Sequence, residues 1–229
     1  MLNRPEKLNA ISAEAMEMID RGLARLADDP DIACLVVRGV GRSFSAGFDL
    51  ETLPDDPAVF QAMARTIDAM ESFPRPTIAQ IHGHCLTGAL ELALACDLRV
   101  AADDAVFADT HGRFGLVPVC GMSVRLPERI GSSRAKLMGF TGRHVCARQA
   151  ESWGLVDLAV PPALLGATVL EITDQIRGNS ADANRILKAL VVRGSTGEVG
   201  REQALADERE LRLGIPKDRD ERLSAAARR

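Results

Sequence analysis

Two glycine-containing loops carry the residues of this sequence that are best suited to chemistry. The first loop, residues 41–50, follows an apolar strand that ends at Arg38, and the second, residues 82–91, follows another apolar strand. In the second loop Gly88 stands where a helix should begin, so its unpaired N–H group and the positive end of the helix dipole favour a developing negative charge. Glu91 lies about one helical turn further and can project from the same helix end. The pattern predicts a site that stabilises an anion beside a carboxylate.

Each loop also has a plain structural interpretation, and the residues alone leave both interpretations open. A strand, a glycine loop and a helix form a common scaffold, and a glutamate in a first helical turn often only complements the helix dipole. His82 and His84 would face the same side of a strand end, but the nearby sequence offers no third ligand at metal-binding spacing. A Gly-x-Ser-x-Gly motif is absent, and the pair Gly39 and Gly41 lacks the third glycine of a dinucleotide fingerprint. We therefore expect no metal and no serine nucleophile.

The elements that must position these loops alternate between helix and strand. Apolar residues from Ile11 to Leu26 recur at helical spacing behind a Ser12 cap, which predicts a first helix. The continuous apolar run of Ile32–Val37 suits a strand buried on both faces, and Thr77–Ile81 predicts a second strand. Further predicted elements are a helix over about 58–71, a helix from about 88 and a strand over 98–101. This alternation with short connections predicts an α/β fold.

Composition limits the kinds of partner and compartment. With 46% hydrophobic and 26% charged residues, the 229-residue chain has the make-up of a globular protein and can bury one substantial core. Its net charge of −4 does not favour nucleic acid or an anionic membrane surface, and no apolar run approaches the ~20 residues of a membrane span. Five scattered cysteines without a Cys-x-x-Cys pair indicate reduced thiols, and the N-terminus lacks the apolar core of a secretory signal. These features favour the cytoplasm.

Ordered motifs at matching intervals make the sequence resemble the enoyl-CoA hydratase/isomerase (crotonase) superfamily. The segment Asn3–Ala10 is similar to its N-terminal motif, Phe44–Leu50 to its first oxyanion loop, and Pro76–Asp97 to its second. Later motifs follow at Phe114–Pro118, Gly121–Leu126, Thr141–Gly142 and Ala150–Val156. The resemblance implies a crotonase-type α/β spiral of ββα repeats with the acyl-CoA site in residues 1–160. It also implies a helical C-terminal oligomerisation region in residues 161–229.

The resemblance also implies roles in the two loops. The backbone N–H groups of Phe48 and Gly88 should form an oxyanion hole, and the carbonyls of Ala46 and Phe48 should accept the adenine amino group of coenzyme A. Gly47 and Asp49 complete the implied substrate-binding loop. Two fixed donors stabilise an enolate, and one such donor is typically worth about 2.7–4 kcal/mol of activation free energy. Because the backbone makes these contacts, the side chain of Phe48 is free to vary and to shape the acyl slot.

Glu91 matches the first of the two carboxylates that hydratases of this family use on the substrate water. The second should lie twenty residues later, where this sequence has His111. A histidine can act as a general acid or base near neutral pH, but His111 could equally hold Glu91 in place or only line the pocket. Asp109, two residues before His111, is a weaker candidate for a displaced carboxylate.

The resemblance therefore implies an enoyl-CoA hydratase that adds water to a 2-enoyl-CoA, with coenzyme A as part of the substrate and no separate cofactor. Isomerisation of an enoyl-CoA stays open because one base suffices for it, and so does acyl-CoA binding with little turnover. Family members form trimers or dimers of trimers, so we expect a homotrimer or a homohexamer. They also usually carry a β-hairpin before the N-terminal motif, whereas this sequence starts almost at that motif.

Overall fold

The computed structural model describes residues 1–53, 56–195 and 199–228, and seven strands in these ranges form two sheets. The strands are β1 (Leu35–Arg38), β2 (Thr77–Ile81), β3 (His84–Leu86), β4 (Leu98–Ala102), β5 (Val106–Ala108), β6 (Val145–Cys146) and β7 (Leu158–Val160). The larger sheet has the order β1-β2-β4-β7 and is wholly parallel, so crossover connections join its strands. The smaller sheet has the order β3-β5-β6, with β3 and β5 parallel and β6 antiparallel to β5.

Ten α-helices lie within the described residues. They are α1 (Ala13–Ala27), α2 (Pro57–Glu71), α3 (Gly88–Leu94), α4 (Met122–Ile130), α5 (Ser132–Thr141), α6 (Ala147–Trp153), α7 (Leu165–Gly178), α8 (Ala181–Ser195), α9 (Arg201–Arg209) and α10 (Arg219–Ala226). The Ser12 side chain accepts a hydrogen bond from the Ala15 N–H at 3.3 Å, so the predicted cap of α1 is confirmed. None of the described helices has the length and apolarity to cross a membrane.

The predicted strands are present, and the boundaries of two of them are shifted. The strand Thr77–Ile81 has the predicted bounds, and the strand predicted at 98–101 extends one residue further. In the apolar run of Ile32–Val37, by contrast, the strand begins only at Leu35. Leu35 pairs with Thr77, and its N–H donates to the carbonyl of Pro76 at 2.9 Å. Because proline has no N–H group, the ladder cannot extend past Pro76, which leaves residues 32–34 outside the strand.

Successive stretches of the chain repeat a strand–strand–helix order, first as β2, β3 and α3 and then as β4, β5 and α4. A tight turn at Gly83 carries the chain from the larger sheet to the smaller one. Its φ is 55°, and a side chain there would lie 2.2 Å from the Arg42 carbonyl oxygen. An isolated parallel bridge between Ser45 and Cys85 places the first glycine loop beside β3. The spiral of ββα repeats thus brings the two glycine loops together.

The larger sheet also packs against α7, the first α-helix after residue 160. Ile78 and Val100 on this sheet form a buried cluster with Leu165 and Val169 of α7. The chain beyond residue 160 is helical in its described parts, as predicted. The domain boundary at that residue and the oligomerisation role of the region stay predictions.

Candidate active site

The first glycine loop is held against the N-terminal segment so that one amide points away from it. Ile11 and Phe48 form an isolated parallel bridge. The Ile11 N–H donates to the Gly47 carbonyl at 2.8 Å, and the Asp49 N–H donates to the Ile11 carbonyl at 2.9 Å. Because these bonds use the residues that flank Phe48, the N–H of Phe48 itself points to the opposite side of the strand. No hydrogen bond from this N–H occurs within the described part of the chain.

Asp49 fixes the far end of the first loop. Its buried carboxylate accepts a hydrogen bond from Arg4 Nη1 at 2.5 Å and another from the backbone N–H of Glu51 at 3.0 Å. The Arg4 guanidinium holds the pKa of Asp49 below its usual range, so the carboxylate stays charged and paired. The resemblance implies substrate binding by Asp49. Its side chain is engaged with Arg4, so Asp49 contributes to that loop by fixing the backbone rather than through a free carboxylate.

Gly88 is the first residue of α3, and a strained residue sets its orientation. Thr87 has φ of 50° and ψ of −111°, a conformation that costs a β-branched residue about 1–3 kcal/mol. The surroundings hold Thr87 in place, because its N–H donates to the Ala108 carbonyl at 2.8 Å and its Oγ1 lies 2.5 Å from Thr110 Oγ1. The N–H of Gly88 has no acceptor within the ranges that the structure describes. A second unpaired amide therefore stands at the positive end of a helix.

Two glycines allow the loops to touch. A side chain on Gly47, which has φ of 104°, would lie 2.7 Å from the Leu86 carbonyl oxygen and 3.5 Å from the Gly88 nitrogen. A side chain on Gly88 would overlap the Phe48 ring, with carbon atoms 2.6 Å apart. Only glycine fits without displacement at either position. The two unpaired amides thus belong to adjoining segments, while their donation to one shared oxygen stays a prediction.

Glu91 lies in the first turn of α3 and is fully buried, with 0% of the residue exposed. Its Oε1 accepts hydrogen bonds from the N–H groups of Cys120 at 3.2 Å and Met122 at 3.1 Å. Its Oε2 has no hydrogen-bond partner among the described residues. Burial raises the pKa of Glu91 above its ordinary value, although His111 and the two amides oppose the rise. A carboxylate with one oxygen clamped and the other bare is suited to accept a proton.

His111 faces the bare oxygen of Glu91. Its Nε2 lies 3.9 Å from Glu91 Oε2, which is too long for a hydrogen bond, while its Nδ1 lies 2.7 Å from Asp109 Oδ1. Asp109 also accepts the backbone N–H of His111 at 3.2 Å. Burial alone would raise the pKa of Asp109, but these hydrogen bonds outweigh burial and the pKa lies below its ordinary value. The sequence left three roles open for His111, and one of them was to hold Glu91 by a direct hydrogen bond. The structure does not contain that hydrogen bond.

His82 and His84 brace the two loops against each other. His82 Nε2 lies 2.8 Å from the Gly41 carbonyl oxygen, and His84 Nδ1 lies 3.0 Å from Ser43 Oγ. Each contact joins the second loop to the first. No group of three or more histidine, cysteine, aspartate or glutamate residues in the described ranges could hold a metal ion. The two histidines thus have a supporting role in the loop structure.

A cavity of about 430 Å³ opens beside these loops, a size in the ordinary range for small-molecule sites. Ala46 and Phe48 line one part of it, and His111 lines another, so His111 connects the cavity to Glu91. Its apolar wall is formed by Leu50, Leu53, Phe60, Leu86, Leu116, Val117 and Val119. A larger cavity of about 550 Å³ lies between α1 and β1, and none of its described lining residues belongs to the smaller one. We assign the candidate site to the smaller cavity because the acid–base pair adjoins it.

Comparison with known proteins identifies the family. The sequence model described as enoyl-CoA hydratase/isomerase matches residues 1–222. The chain belongs to the enoyl-CoA hydratase/isomerase family. YngF of Bacillus subtilis is 34% identical over 98% of this chain and 88% of its own length. The crotonyl-CoA hydratase of Syntrophomonas wolfei is 32% identical over 89% of this chain and 81% of its own. The crystal structure of an enoyl-CoA hydratase from Bacillus anthracis superposes with a TM-score of 0.93 at 32% identity, covering 99% of this chain and 90% of that one.

Membership of the enoyl-CoA hydratase/isomerase family confirms three predictions made from the motifs. The crotonase resemblance holds over almost the whole chain, the α/β spiral matches solved structures, and the protein is an enzyme of this hydratase/isomerase family. Relatives that carry hydratase names support the predicted hydratase activity. The roles of individual residues stay predictions, and they take their support from the contacts described above.

Several residues that shape this family member's site were not predicted from the sequence. Thr87 and Thr110 hold the second loop, and the amides of Cys120 and Met122 clamp the carboxylate. The residue types Cys120 and Met122 do not indicate that their N–H groups bind a distant carboxylate, and nothing in the residue type of Thr87 indicates a positive φ. Asp109, by contrast, was named from the sequence as a weaker candidate for a displaced carboxylate, and its Oδ1 binds both the ring and the backbone N–H of His111.

Proposed function

We propose that this enzyme hydrates 2-enoyl-CoA thioesters, with the thioester oxygen bound by the N–H groups of Phe48 and Gly88 and the water activated by Glu91. The observation that carries the proposal is the bare, buried Oε2 of Glu91 facing His111 Nε2 at 3.9 Å. A water that bridges these two atoms would have polar partners on both sides, as a buried water requires. The hydratase names of the relatives agree with this reaction.

The proposed reaction adds one water molecule across the C2–C3 double bond and consumes no other reactant. Glu91 Oε2 takes a proton from the water while the water oxygen bonds to C3 of the substrate. The electrons of the C2–C3 double bond shift toward the thioester, whose oxygen becomes an enolate oxygen beside the Phe48 and Gly88 amides. The proton held by Glu91 then passes to C2, directly or through His111. The product is a 3-hydroxyacyl-CoA, and both side chains return to their starting state.

Asp109 has a defined part in this scheme. Its carboxylate binds His111 Nδ1 at 2.7 Å, which makes Nδ1 the protonated nitrogen and leaves Nε2 directed at Glu91. A carboxylate also stabilises the imidazolium that forms when Nε2 takes a proton. Asp109 therefore acts on the reaction through His111, and its own oxygens do not have to meet the substrate.

The remaining features of the proposal concern binding and assembly. Ala46 and Phe48 line the cavity, and their carbonyls are proposed to accept the adenine amino group of coenzyme A. Coenzyme A enters as part of the substrate, so the reaction requires no separate cofactor. We also propose a homotrimer or homohexamer located in the cytoplasm, from the resemblance and the composition. Size-exclusion chromatography with light scattering would measure the oligomeric state.

The function is tested by incubating the enzyme with crotonyl-CoA. Hydration is measured as the loss of absorbance of the conjugated double bond and as the formation of 3-hydroxybutyryl-CoA. A second candidate is isomerisation of a 3-enoyl-CoA, because the candidate pair contains one carboxylate, Glu91, and isomerisation needs only one base. Formation of a 2-enoyl-CoA from a 3-enoyl-CoA without hydration would establish the isomerase. Tight binding of an acyl-CoA without either reaction would identify a binding protein.

A further inference from the structure

Arg125 of α4 connects the turn that clamps Glu91 to helix α2. Its Nη1 donates to the carbonyl of Cys120 at 3.0 Å, in the turn whose amides bind Glu91 Oε1. Its Nε and Nη2 donate to Glu71 Oε2 at 3.1 Å and 2.6 Å, and Nη2 also donates to Asp68 at 2.7 Å. Only 11% of the arginine side chain is exposed. One guanidinium thus uses all three of its nitrogens to join the turn to α2.

Gly121 provides the room for this contact. It has φ of 98°, and a side chain there would lie 2.0 Å from Arg125 Nη1. The guanidinium therefore rests against the backbone of Gly121, which lies between Cys120 and Met122. The N–H groups of those two residues bind Glu91 Oε1. Arg125 contacts the clamp directly and reaches Glu91 only through it.

We propose that Arg125 is a positioning residue for Glu91. Arg125 holds the Cys120–Met122 turn, so that Oε1 of Glu91 stays bound to the turn and Oε2 of Glu91 stays directed at the substrate. The inference rests on the proposed function in that Glu91 is taken as the base. The amides of the turn favour the charged carboxylate, whereas burial favours the neutral one. The other titratable groups that face Glu91 are His111 and Asp109, from the loop after β5, and the Cys120 thiol.

Loosening of the Cys120–Met122 turn should change the pKa of Glu91 in a predictable direction. If Arg125 is removed, the amides bind Oε1 less well and burial dominates, so the pKa of Glu91 rises further and the carboxyl stays protonated up to a higher pH. Arg125→Gln should therefore move the acid limb of kcat to higher pH by roughly one unit, which lowers kcat about tenfold at pH values below the limb and less above it. The KM should change little, because the amides of Phe48 and Gly88 are untouched. Arg125→Lys should show a smaller shift, since an ammonium cannot bind all of the partners at once.

The experiment compares Arg125→Gln with Arg148→Gln, which breaks an ion pair with Asp103 outside the candidate site. Arg148→Gln should keep the wild-type pH profile. In a Glu91→Gln background, Arg125→Gln should lower kcat no further, because its effect passes through the carboxylate. If Arg125→Gln does not fold, Glu71→Gln replaces it in the experiment. Glu71→Gln should also move the acid limb of kcat to higher pH, but by a smaller amount.

A titration that does not depend on turnover separates this inference from the proposed function. The side-chain carboxyl of Glu91 can be followed by carbon-13 NMR of glutamate-labelled protein, with Glu91→Gln to assign the signal. A shift of this titration to higher pH in Arg125→Gln supports the inference even if crotonyl-CoA is not hydrated. A variant that unfolds at lower temperature but keeps the wild-type acid limb and carboxyl titration would overturn it. The inference would also be overturned if both Arg125→Lys and Glu71→Gln kept the wild-type acid limb of kcat and the wild-type titration of the Glu91 carboxyl.

Discussion

The two halves of the candidate site are held in place by different means. Phe48 and Gly88 offer backbone N–H groups, whose directions depend on chain conformation and on the absence of side chains at the point of contact. Glu91 and His111 offer side chains, whose directions depend on hydrogen bonds from neighbours, such as the one between His111 and Asp109. In the proposed mechanism, the first half fixes where negative charge develops, and the second fixes where a proton moves.

This difference bears on how the site can change. A backbone donor survives almost any substitution of its own side chain, so the ability to stabilise an enolate is retained when the acyl pocket is reshaped. A side-chain acid or base is lost or altered by a single substitution, and His111 stands where the family resemblance predicts a carboxylate. In the proposed mechanism, enolate stabilisation therefore depends on the backbone, while proton transfer depends on two side chains that a single substitution can alter. Substitutions in each half should separate these two contributions.

Glu91→Gln should have the largest effect on turnover. The substitution preserves the shape of the side chain and removes the base, and such a loss typically costs about 10²–10⁴-fold in rate. Binding of an unreactive acyl-CoA should stay within a few fold of wild type, because the amides are unchanged. Steady-state kinetics with crotonyl-CoA and calorimetric binding of butyryl-CoA would measure the two effects separately. Wild-type turnover in this variant would remove Glu91 from the mechanism.

The same variant should be more stable than the wild type at neutral pH. Burial raises the pKa of Glu91 in the folded state, so the carboxylic acid is favoured by folding and its ionisation opposes folding. The contribution of the neutral acid is present below the ordinary carboxyl pKa, about 4.3, and is lost as the pH rises through the folded-state value. Glutamine is neutral throughout. Thermal unfolding should show a higher midpoint for Glu91→Gln near pH 7.5 and no difference near pH 4, whereas a lower midpoint at pH 7.5 would contradict this account.

Gly88→Ala tests the backbone half with almost as large an expected loss. The added methyl group would lie 2.6 Å from ring carbons of Phe48, so either the ring or the start of α3 has to move. Displacement of one oxyanion donor typically costs about 10²-fold or more in kcat. The double variant Gly88→Ala, Phe48→Ala removes the collision and should recover part of the rate. No recovery would mean that the methyl group acts on something other than the ring.

Substitution of His111 should have a smaller effect on kcat, and whether kcat falls or rises in two variants identifies the role of this residue. If its Nε2 assists proton transfer, His111→Ala should lose roughly ten- to hundredfold in kcat, because Glu91 still activates the water. His111→Glu would place a carboxylate next to Asp109, so it should be combined with Asp109→Asn to avoid repulsion. This double variant should keep hydratase activity or raise it. If the wild type does not hydrate crotonyl-CoA and this double variant does, the natural protein is an isomerase or a binding protein. If the wild type and the variants have equal rates, His111 only lines the cavity.

The sequence allowed prediction of several elements and of candidate site residues, but not of the contacts that hold those residues in place. The strand Thr77–Ile81 and the cap at Ser12 follow from periodicity and from a residue with one preferred place. The three-residue strands β3 and β5 are too short for a periodic signal. The clamp on Glu91 combines amides from a turn about thirty residues further along the chain, and only the tertiary fold brings that turn to α3. Local patterns indicate which residues can react, whereas long-range contacts determine how they are held.

Phe48→Ala should have the smallest effect on catalysis, and it isolates the backbone contribution of that residue. The variant keeps the N–H that the bridge to Ile11 directs away from the N-terminal segment, so kcat with crotonyl-CoA should stay within about threefold of wild type. The ring lines the cavity and covers Gly88, so its removal enlarges the acyl slot. Longer or branched 2-enoyl-CoA substrates should therefore gain in kcat/KM relative to crotonyl-CoA, and Phe48→Leu should lie between the two. A hundredfold loss of kcat with crotonyl-CoA in Phe48→Ala, in protein that folds normally, would mean that the ring and not only the amide positions the thioester, and the division of the site into two halves would fail at this residue.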